Sequence, residues 1–178
     1  AALFTIEATA VVPEGRITPA CLGLWDDRTE AALADTLHRA RKLAPPVPVC
    51  IQLAHAGRKA SSALPWQGAQ LLSTAQGGWE TFGPSALPQL ATEPPPTEMT
   101  HDHMTHIRDA FVRAAQRADR MGIEAIELHG AHGYLIHEFL SPIANQRSDE
   151  YGGNFDNRIR FPLEVFAAVR KVFSGVLG

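Results

Sequence analysis

The stretch Glu127-Leu128-His129-Gly130-Ala131-His132-Gly133-Tyr134 decides the reading of the fold. Just before it, Ile123 to Leu128 is a short apolar run that follows Gly122, the pattern of a buried strand entered from a helix. At His129 the run gives way to small and polar residues, so the strand ends and a loop opens at its C-terminal end. Upstream lies an amphipathic helix: Ile107, Phe111, Ala114, Ala118 and Met121 recur at steps of four and three. Thr100 suits its N-cap, Asp102 its first turn and Gly122 its C-terminal cap.

Working further outward, Val47 to Leu53 predicts a second strand with Pro48 near its start, and Leu3, Phe4 and Ile6 an earlier one, long enough to be buried. Between them, Thr29 to Ala44 predicts a helix with Leu33, Leu37, Ala40 and Ala44 on one face, ended by Pro45-Pro46. After the Gly152-Gly153 turn, Asn157 to Phe173 predicts a third helix with Leu163, Phe166, Val169 and Phe173 inward. Residues 57–100, rich in Gly and broken by Pro94-Pro95-Pro96, predict an irregular excursion over one mouth of the fold.

The order is strand–helix three times over, an α/β pattern of successive βαβ units. It suits a segment of a (β/α)8 TIM barrel, about three β/α units with the barrel incomplete, or half of a doubly wound sheet. No GxGxxG follows the first strand and no GxxxxGK[ST] occurs, so the barrel is the better reading. The chain opens at Ala1 in what reads as a strand and closes on Val176-Leu177-Gly178, which reads as a strand beginning. Residues 1–178 are therefore expected to be an internal segment of one barrel domain.

Composition sets the outer bounds. The chain has 178 residues, 45% apolar and 20% charged, an ordinary globular balance. Sixteen Lys and Arg against nineteen Asp and Glu leave a net charge of −3, with no basic run to suggest nucleic acid or an anionic membrane as partner. No apolar stretch approaches the ~20 residues of a membrane span, and no leader is visible, so a cytoplasmic protein is expected. Cys21 and Cys50 make neither a CxxC nor a disulfide framework.

In a barrel of this kind the chemistry sits at the C-terminal ends of the strands. Those ends are Glu7-Ala8-Thr9, Gln52 to Arg58 and His129 to Tyr134. Two imidazoles spaced i, i+3 can donate a pair of hydrogen bonds to one substrate oxygen and stabilise negative charge developing there. A Tyr two residues on, with an ordinary pKa of ~10, stays protonated at neutral pH and can act as general acid. That pairing suits hydride addition to an activated alkene and needs no metal.

The plainer readings stand beside this one. His38, His101, His103 and His106 read as packed or solvated histidines. Gln52 could be a buried amide satisfied by backbone. His55 and Arg58 read as fixing a loop or pairing with a carboxylate, and Asp149, Arg158 and Arg160 as loop and helix-end ion pairs. A metal reading collects His129, His132, His137 and Glu138, but their spacing matches neither HExxH nor HxxEH. No GxSxG occurs, and neither cysteine has a sequence-local activating partner.

The run from Glu127 through Tyr134 to His137-Glu138-Phe139-Leu140-Ser141-Pro142 resembles the signature of the Old Yellow Enzyme family. So does its continuation, Asn145-Gln146-Arg147-Ser148-Asp149-Glu150-Tyr151-Gly152-Gly153-Asn154, with Asn157-Arg158 and Arg160-Phe161. Two further blocks agree, Glu7-Ala8-Thr9-Ala10-Val11 with Gly15-Arg16, and Gln52 through Arg58 to Lys59-Ala60. The subgroup is similar to the bacterial xenobiotic reductases and the NADPH dehydrogenases of bacilli; other branches have Asn where His132 stands.

The resemblance implies an FMN-dependent barrel oxidoreductase, an ene-reductase, that takes hydride from NADPH or NADH and reduces the activated C=C bond of α,β-unsaturated carbonyl compounds. It implies that His129 and His132 bind the substrate carbonyl, that Tyr134 donates the proton, and that Ala8 and Gln52 contact the flavin. It implies no metal, a small enone-type molecule as partner and a possible homo-oligomer. It also implies a longer chain, whose earlier strand carries a Cys near the flavin; Cys21, beyond the strand end, is not that residue. The alternatives are a related FMN barrel of the 2,4-dienoyl-CoA reductase or trimethylamine dehydrogenase type, and a non-catalytic truncated barrel fragment.

Overall fold

The structure is a computed structural model that describes residues 2–178, so Ala1 lies outside the described residues. Its core is a four-stranded parallel sheet of β1 (Phe4–Ala10), β2 (Val49–Ala54), β5 (Ala125–Leu128) and β6 (Val176–Leu177), in that spatial order. Two short strands, β3 (Phe82–Gly83) and β4 (Thr97–Glu98), pair separately within the excursion. Each core strand lies beside its predecessor, the order of a barrel; a doubly wound sheet would reverse direction at a switch point. The sheet stays open, and the segment amounts to three β/α units and the start of a fourth strand.

Among the described residues, five α-helices accompany the sheet: α1 (Asp27–Leu43), α2 (His101–Arg120), α3 (Leu135–Leu140), α4 (Phe155–Arg158) and α5 (Arg160–Arg170). Thr100 caps α2 by accepting the His103 N–H, and Gly122 closes it at φ +67°, a left-handed conformation that glycine adopts without Cβ strain. Ile107, Ala110, Phe111, Ala114, Ala115 and Ala118 form its buried face, and α5 packs against it. α1 starts two residues before the expected Thr29, because Asp26 and Thr29 make a reciprocal capping box. It buries Leu33 and Leu37, while Ala40 and Ala44 are exposed.

Three expectations are corrected. β1 forms, but Leu3 and Phe4 are exposed: β1 pairs with β2 on one side, and among the described residues its other side is bridged only at the far end, by Ala10 to Gly23. The expected helix 157–173 starts at an Asn154 cap and is broken into α4 and α5 at Ile159, near Pro162, which has no N–H to return to the Arg158 carbonyl. Its inner face is Phe161, Val165, Val169 and Phe173; Leu163 and Phe166 point outward. The excursion over 57–100 is irregular as expected, yet it is pinned. Arg147 Nη1 donates to the Pro84 and Met99 carbonyls at 3.0 and 2.7 Å, and the Gln146 N–H donates to Ser85 Oγ at 2.9 Å.

Candidate active site at the strand ends

Because the core strands are parallel, their C-terminal ends lie at one edge of the sheet, and the expected site residues meet there. Along β1 and β2, Ile6 faces Ile51 and Thr9 faces Leu53, so Glu7 and Ala8 together oppose Gln52 alone. This is a β-bulge, and it turns Ala8 to φ +40°. The bulge aims the Ala8 N–H at Gln52 Oε1, 3.1 Å away. On the other side Gln52 faces Glu127 in register and donates from Nε2 to Glu127 Oε1 at 2.6 Å. Ala8 and Gln52 are thus brought together by a backbone irregularity that side-chain patterning does not reveal.

Beyond β5 the chain makes a tight turn. The His129 N–H donates to the Leu53 carbonyl at 2.9 Å, extending the β2–β5 ladder by one residue. His132 and Gly133 follow in the left-handed region at φ +57° and +73°. The turn folds the three rings together: His129 lies 5.1 Å from His132 and 4.8 Å from Tyr134 between centroids, and His132 lies 6.3 Å from Tyr134. All three pairs meet edge to face, the favourable arrangement for aromatic quadrupoles.

The electrostatics of the cluster follow from burial. His129 is held below the usual imidazole pKa, first by burial and then by neighbouring His132, so it is neutral at pH 7. Its Nδ1 accepts the Ala131 N–H at 3.3 Å, which assigns the remaining proton to Nε2 as a donor. Burial, with Cys21 nearby, raises the Tyr134 phenol above its ordinary value and keeps it a proton donor. His129 and Tyr134 therefore offer a neutral N–H and an O–H donor from one short turn.

The segment after β2 supports this turn. The Leu135 N–H donates to the His55 carbonyl at 3.0 Å, and the Arg58 N–H to Glu138 Oε1 at 2.9 Å. Lys59 Nζ donates to the His132 carbonyl at 2.7 Å. The sequence does not single out Lys59, Glu138 and Glu127 for these contacts; an acid at Glu138 inside the mostly apolar run Leu135–Leu140 is the one signal that could have marked it. His55 fixes its own loop, as expected: its Nδ1 accepts the Gly57 N–H at 3.0 Å, and burial pushes its pKa down to about 3. The Arg58 guanidinium donates to the Leu87 and Pro88 carbonyls.

The metal reading of His129, His132, His137 and Glu138 is not supported by where their atoms point. His137 Nδ1 accepts the Gly133 N–H at 2.8 Å, and Glu138 turns toward Arg58. Among the described residues, the potential ligand atoms that converge within 4.8 Å belong instead to His101, Asp149 and Glu150. There Asp149 is already gripped by the Arg147 guanidinium through both carboxylate oxygens. Arg158 and Arg160 donate to main-chain carbonyls of Leu140 and Glu150 rather than forming the expected ion pairs. An apolar cavity of about 600 Å³ opens at the strands' opposite end, lined by Phe4, Leu37, Val47 and Val49, away from every ring of the cluster.

Comparison with known proteins gives one consistent answer. The sequence profile of the NADH:flavin oxidoreductase / NADH oxidase family matches residues 1–175. An NADH:flavin oxidoreductase of Gibberella zeae is 44% identical over 172 residues, 94% of this chain and 41% of that protein. The NADPH dehydrogenase of Bacillus licheniformis is 43% identical over 175 residues, 98% of this chain and 47% of that protein. Among solved structures, morphinone reductase superposes with a TM-score of 0.80 at 30% identity, over 97% of this chain and 47% of that one. The chain spans less than half the length of each of these relatives.

Proposed function

The chain belongs to the NADH:flavin oxidoreductase / NADH oxidase family, the Old Yellow Enzyme family, and on that premise we propose that it contributes the substrate-activating half of an FMN-dependent ene-reductase site. The observation that carries the proposal is the packing of His129, His132 and Tyr134 on one turn beside the Ala8–Gln52 pair. The reaction is reduction of the activated C=C bond of an α,β-unsaturated carbonyl compound, with NADPH or NADH as reductant.

The residues at the strand ends fit a flavin ring edge. Such an edge alternates C=O acceptors with an N–H donor, and Gln52 carries both functions on one carboxamide, with one N–H left over after Glu127. The main-chain N–H of Ala8 is spent on Gln52 Oε1 and so fixes the carboxamide, and the bulge leaves only a methyl group there, so a flat ring can approach closely. Ala8 and Gln52 would hold FMN. When bound, FMN supplies the hydride that the nicotinamide has delivered.

The rest is done by the chain's own groups. His129 Nε2–H and the His132 imidazole donate to the substrate carbonyl oxygen, drawing electron density from the alkene and making its β-carbon electrophilic. As hydride adds at that carbon, negative charge moves onto the oxygen, where the two donors bind it more strongly than they bound the ketone. Tyr134 then transfers its phenolic proton to the α-carbon, completing net addition of hydride and proton. Neutral His129 matters here, since a neutral donor needs no desolvation of a charge when the pocket closes on substrate.

The test is the double replacement His129→Ala with His132→Ala in the flavin-loaded protein. Reduction of 2-cyclohexenone is expected to fall by about 10³-fold or more while flavin content holds. Turnover that survived the double change would overturn the carbonyl-binding role.

A further inference from the structure

Glu138 is a carboxylic acid in the interior, 1% exposed, and nothing in the chemistry proposed above uses it. Its surroundings are built for a carboxyl. A Cβ added at Gly57 would lie 2.7 Å from its Cδ and 2.8 Å from Oε2, and closer still to Oε1; one added at Gly83 would lie 3.1 Å from Oε2. Gly57 thus approaches the group to a distance that any side chain would block, and Gly83 to one that a side chain would crowd. Gly57, at φ +62°, opens the turn after β2, and Gly83 belongs to β3 in the excursion. The acid projects from α3, the helix that Tyr134 caps, and its own N–H donates to the Tyr134 carbonyl at 2.8 Å.

We propose that Glu138 is a positioning residue whose carboxyl, seated in the slot between Gly57 and Gly83, holds α3 and with it the His132–Tyr134 turn against the end of β2. The inference rests on the site reading given above and deepens it. Oε1 accepts the Arg58 N–H at 2.9 Å, whereas Oε2 is buried with no partner, a setting that suits a neutral acid better than a carboxylate. Burial pushes the pKa up to about 8, against the pull of the Arg58 N–H and of the Arg58 and Lys59 charges. Those two cations are the charges that reach the group, both from the 57–59 turn; β3 meets it through the backbone of Gly83. Ionisation therefore strains a joint between three segments, two of which carry or flank the cluster.

Glu138→Ala and Glu138→Gln in the flavin-loaded protein test this. Glu138→Ala removes the acceptor for Arg58 and empties the slot, and 2-cyclohexenone turnover is expected to fall about tenfold or more at unchanged flavin content. Glu138→Gln keeps the shape and the acceptor and is expected to restore most of that loss. The decisive readout is the pH profile. The parent protein loses turnover as pH rises through about 8, while Glu138→Gln holds its turnover until Tyr134 ionises, above ~10. A fall near pH 8 that persists in Glu138→Gln would overturn the proposal, as would Glu138→Ala turnover within about twofold of the parent. If Glu138→Ala does not fold, the Glu138→Gln profile decides alone. Failure of the underlying site reading shows separately, as undiminished turnover in Tyr134→Phe.

Discussion

Lys59 Nζ donates to the main-chain carbonyl of His132 at 2.7 Å, joining residues 73 apart in sequence. Among the described residues, His132 is one of four non-glycine residues with positive φ, and Gly133 follows it into the same region. A left-handed residue with a Cβ costs about 1–2 kcal/mol, and a charge-assisted hydrogen bond to its carbonyl offsets that strain. The lysine chain also lines the open side of Gly133, where an added Cβ would meet Cε at 3.3 Å.

Lys59→Met keeps the aliphatic stem and deletes the ammonium. His132 is then expected to drift from the carbonyl-binding position, raising the KM for 2-cyclohexenone about tenfold with kcat less affected. Flavin content, which depends on other residues, is expected to hold. Steady-state kinetics measure the split; an unchanged KM would show that His132 keeps its place without Lys59.

Gly57→Ala is expected to be strongly destabilising. The new Cβ runs into the Glu138 carboxyl, meeting Cδ at 2.7 Å and Oε1 closer still, in a residue held at φ +62°. Overpacking and left-handed strain together predict a loss of about 2–5 kcal/mol, read from chemical denaturation. Gly77→Ala is the control: its φ is also positive, but its Cβ position is open, so only the backbone term of about 1–2 kcal/mol applies.

Glu138 also predicts a pH dependence of stability. Its pKa is about 8 when folded against 4.5 for a free side chain, so the folded protein holds a proton that the unfolded chain has released. Its contribution is present in full below about 4.5 and is lost as pH rises to about 8. The Tm of the parent is expected to decline over that window relative to Glu138→Gln. Parallel Tm curves for the two proteins would contradict a buried acid of raised pKa.

Arg147 is a further structural target. It is buried, holds the excursion through the Pro84 and Met99 carbonyls, and grips Asp149. Arg147→Ala leaves the Pro84 and Met99 carbonyls without this donor and leaves Asp149 only its contacts with His101 and the Tyr151 N–H, and a cost of about 3 kcal/mol is expected in denaturant titration. The Arg147 hydrogen bonds hold the Asp149 carboxyl well below the usual carboxylate range. That contribution is complete above the unfolded pKa of about 4 and is lost as pH falls below it. The acid limb of the stability curve is therefore expected to flatten in Arg147→Ala.

What was legible in the sequence was whatever repeats or is punctuated locally. The period of α2 from Ile107 to Met121, its Thr100 cap and the Gly122 stop sit in adjacent residues, so pattern alone located them. The six-residue α3 was missed because it is too short to show a period and buries Leu135, Ile136, Glu138 and Phe139 nearly all round. The outward turn of Leu163 and Phe166 was missed because Pro162 interrupts the helix, which shifts the face that follows.

The sequence by itself determined the β/α order, the position of the strand ends and the presence of His129, His132 and Tyr134 on a single turn, since these depend on neighbours a few residues apart. Only the tertiary structure decided that Gln52 sits between Ala8 and Glu127, that Lys59 holds the His132 carbonyl and that Glu138 fills a slot between Gly57 and Gly83. Each of these joins segments from 26 to 81 residues apart through a bulge, a left-handed turn or a missing Cβ. Such features fix distances between strand ends without leaving any local pattern in the chain, because their partners meet only once the sheet has set its register.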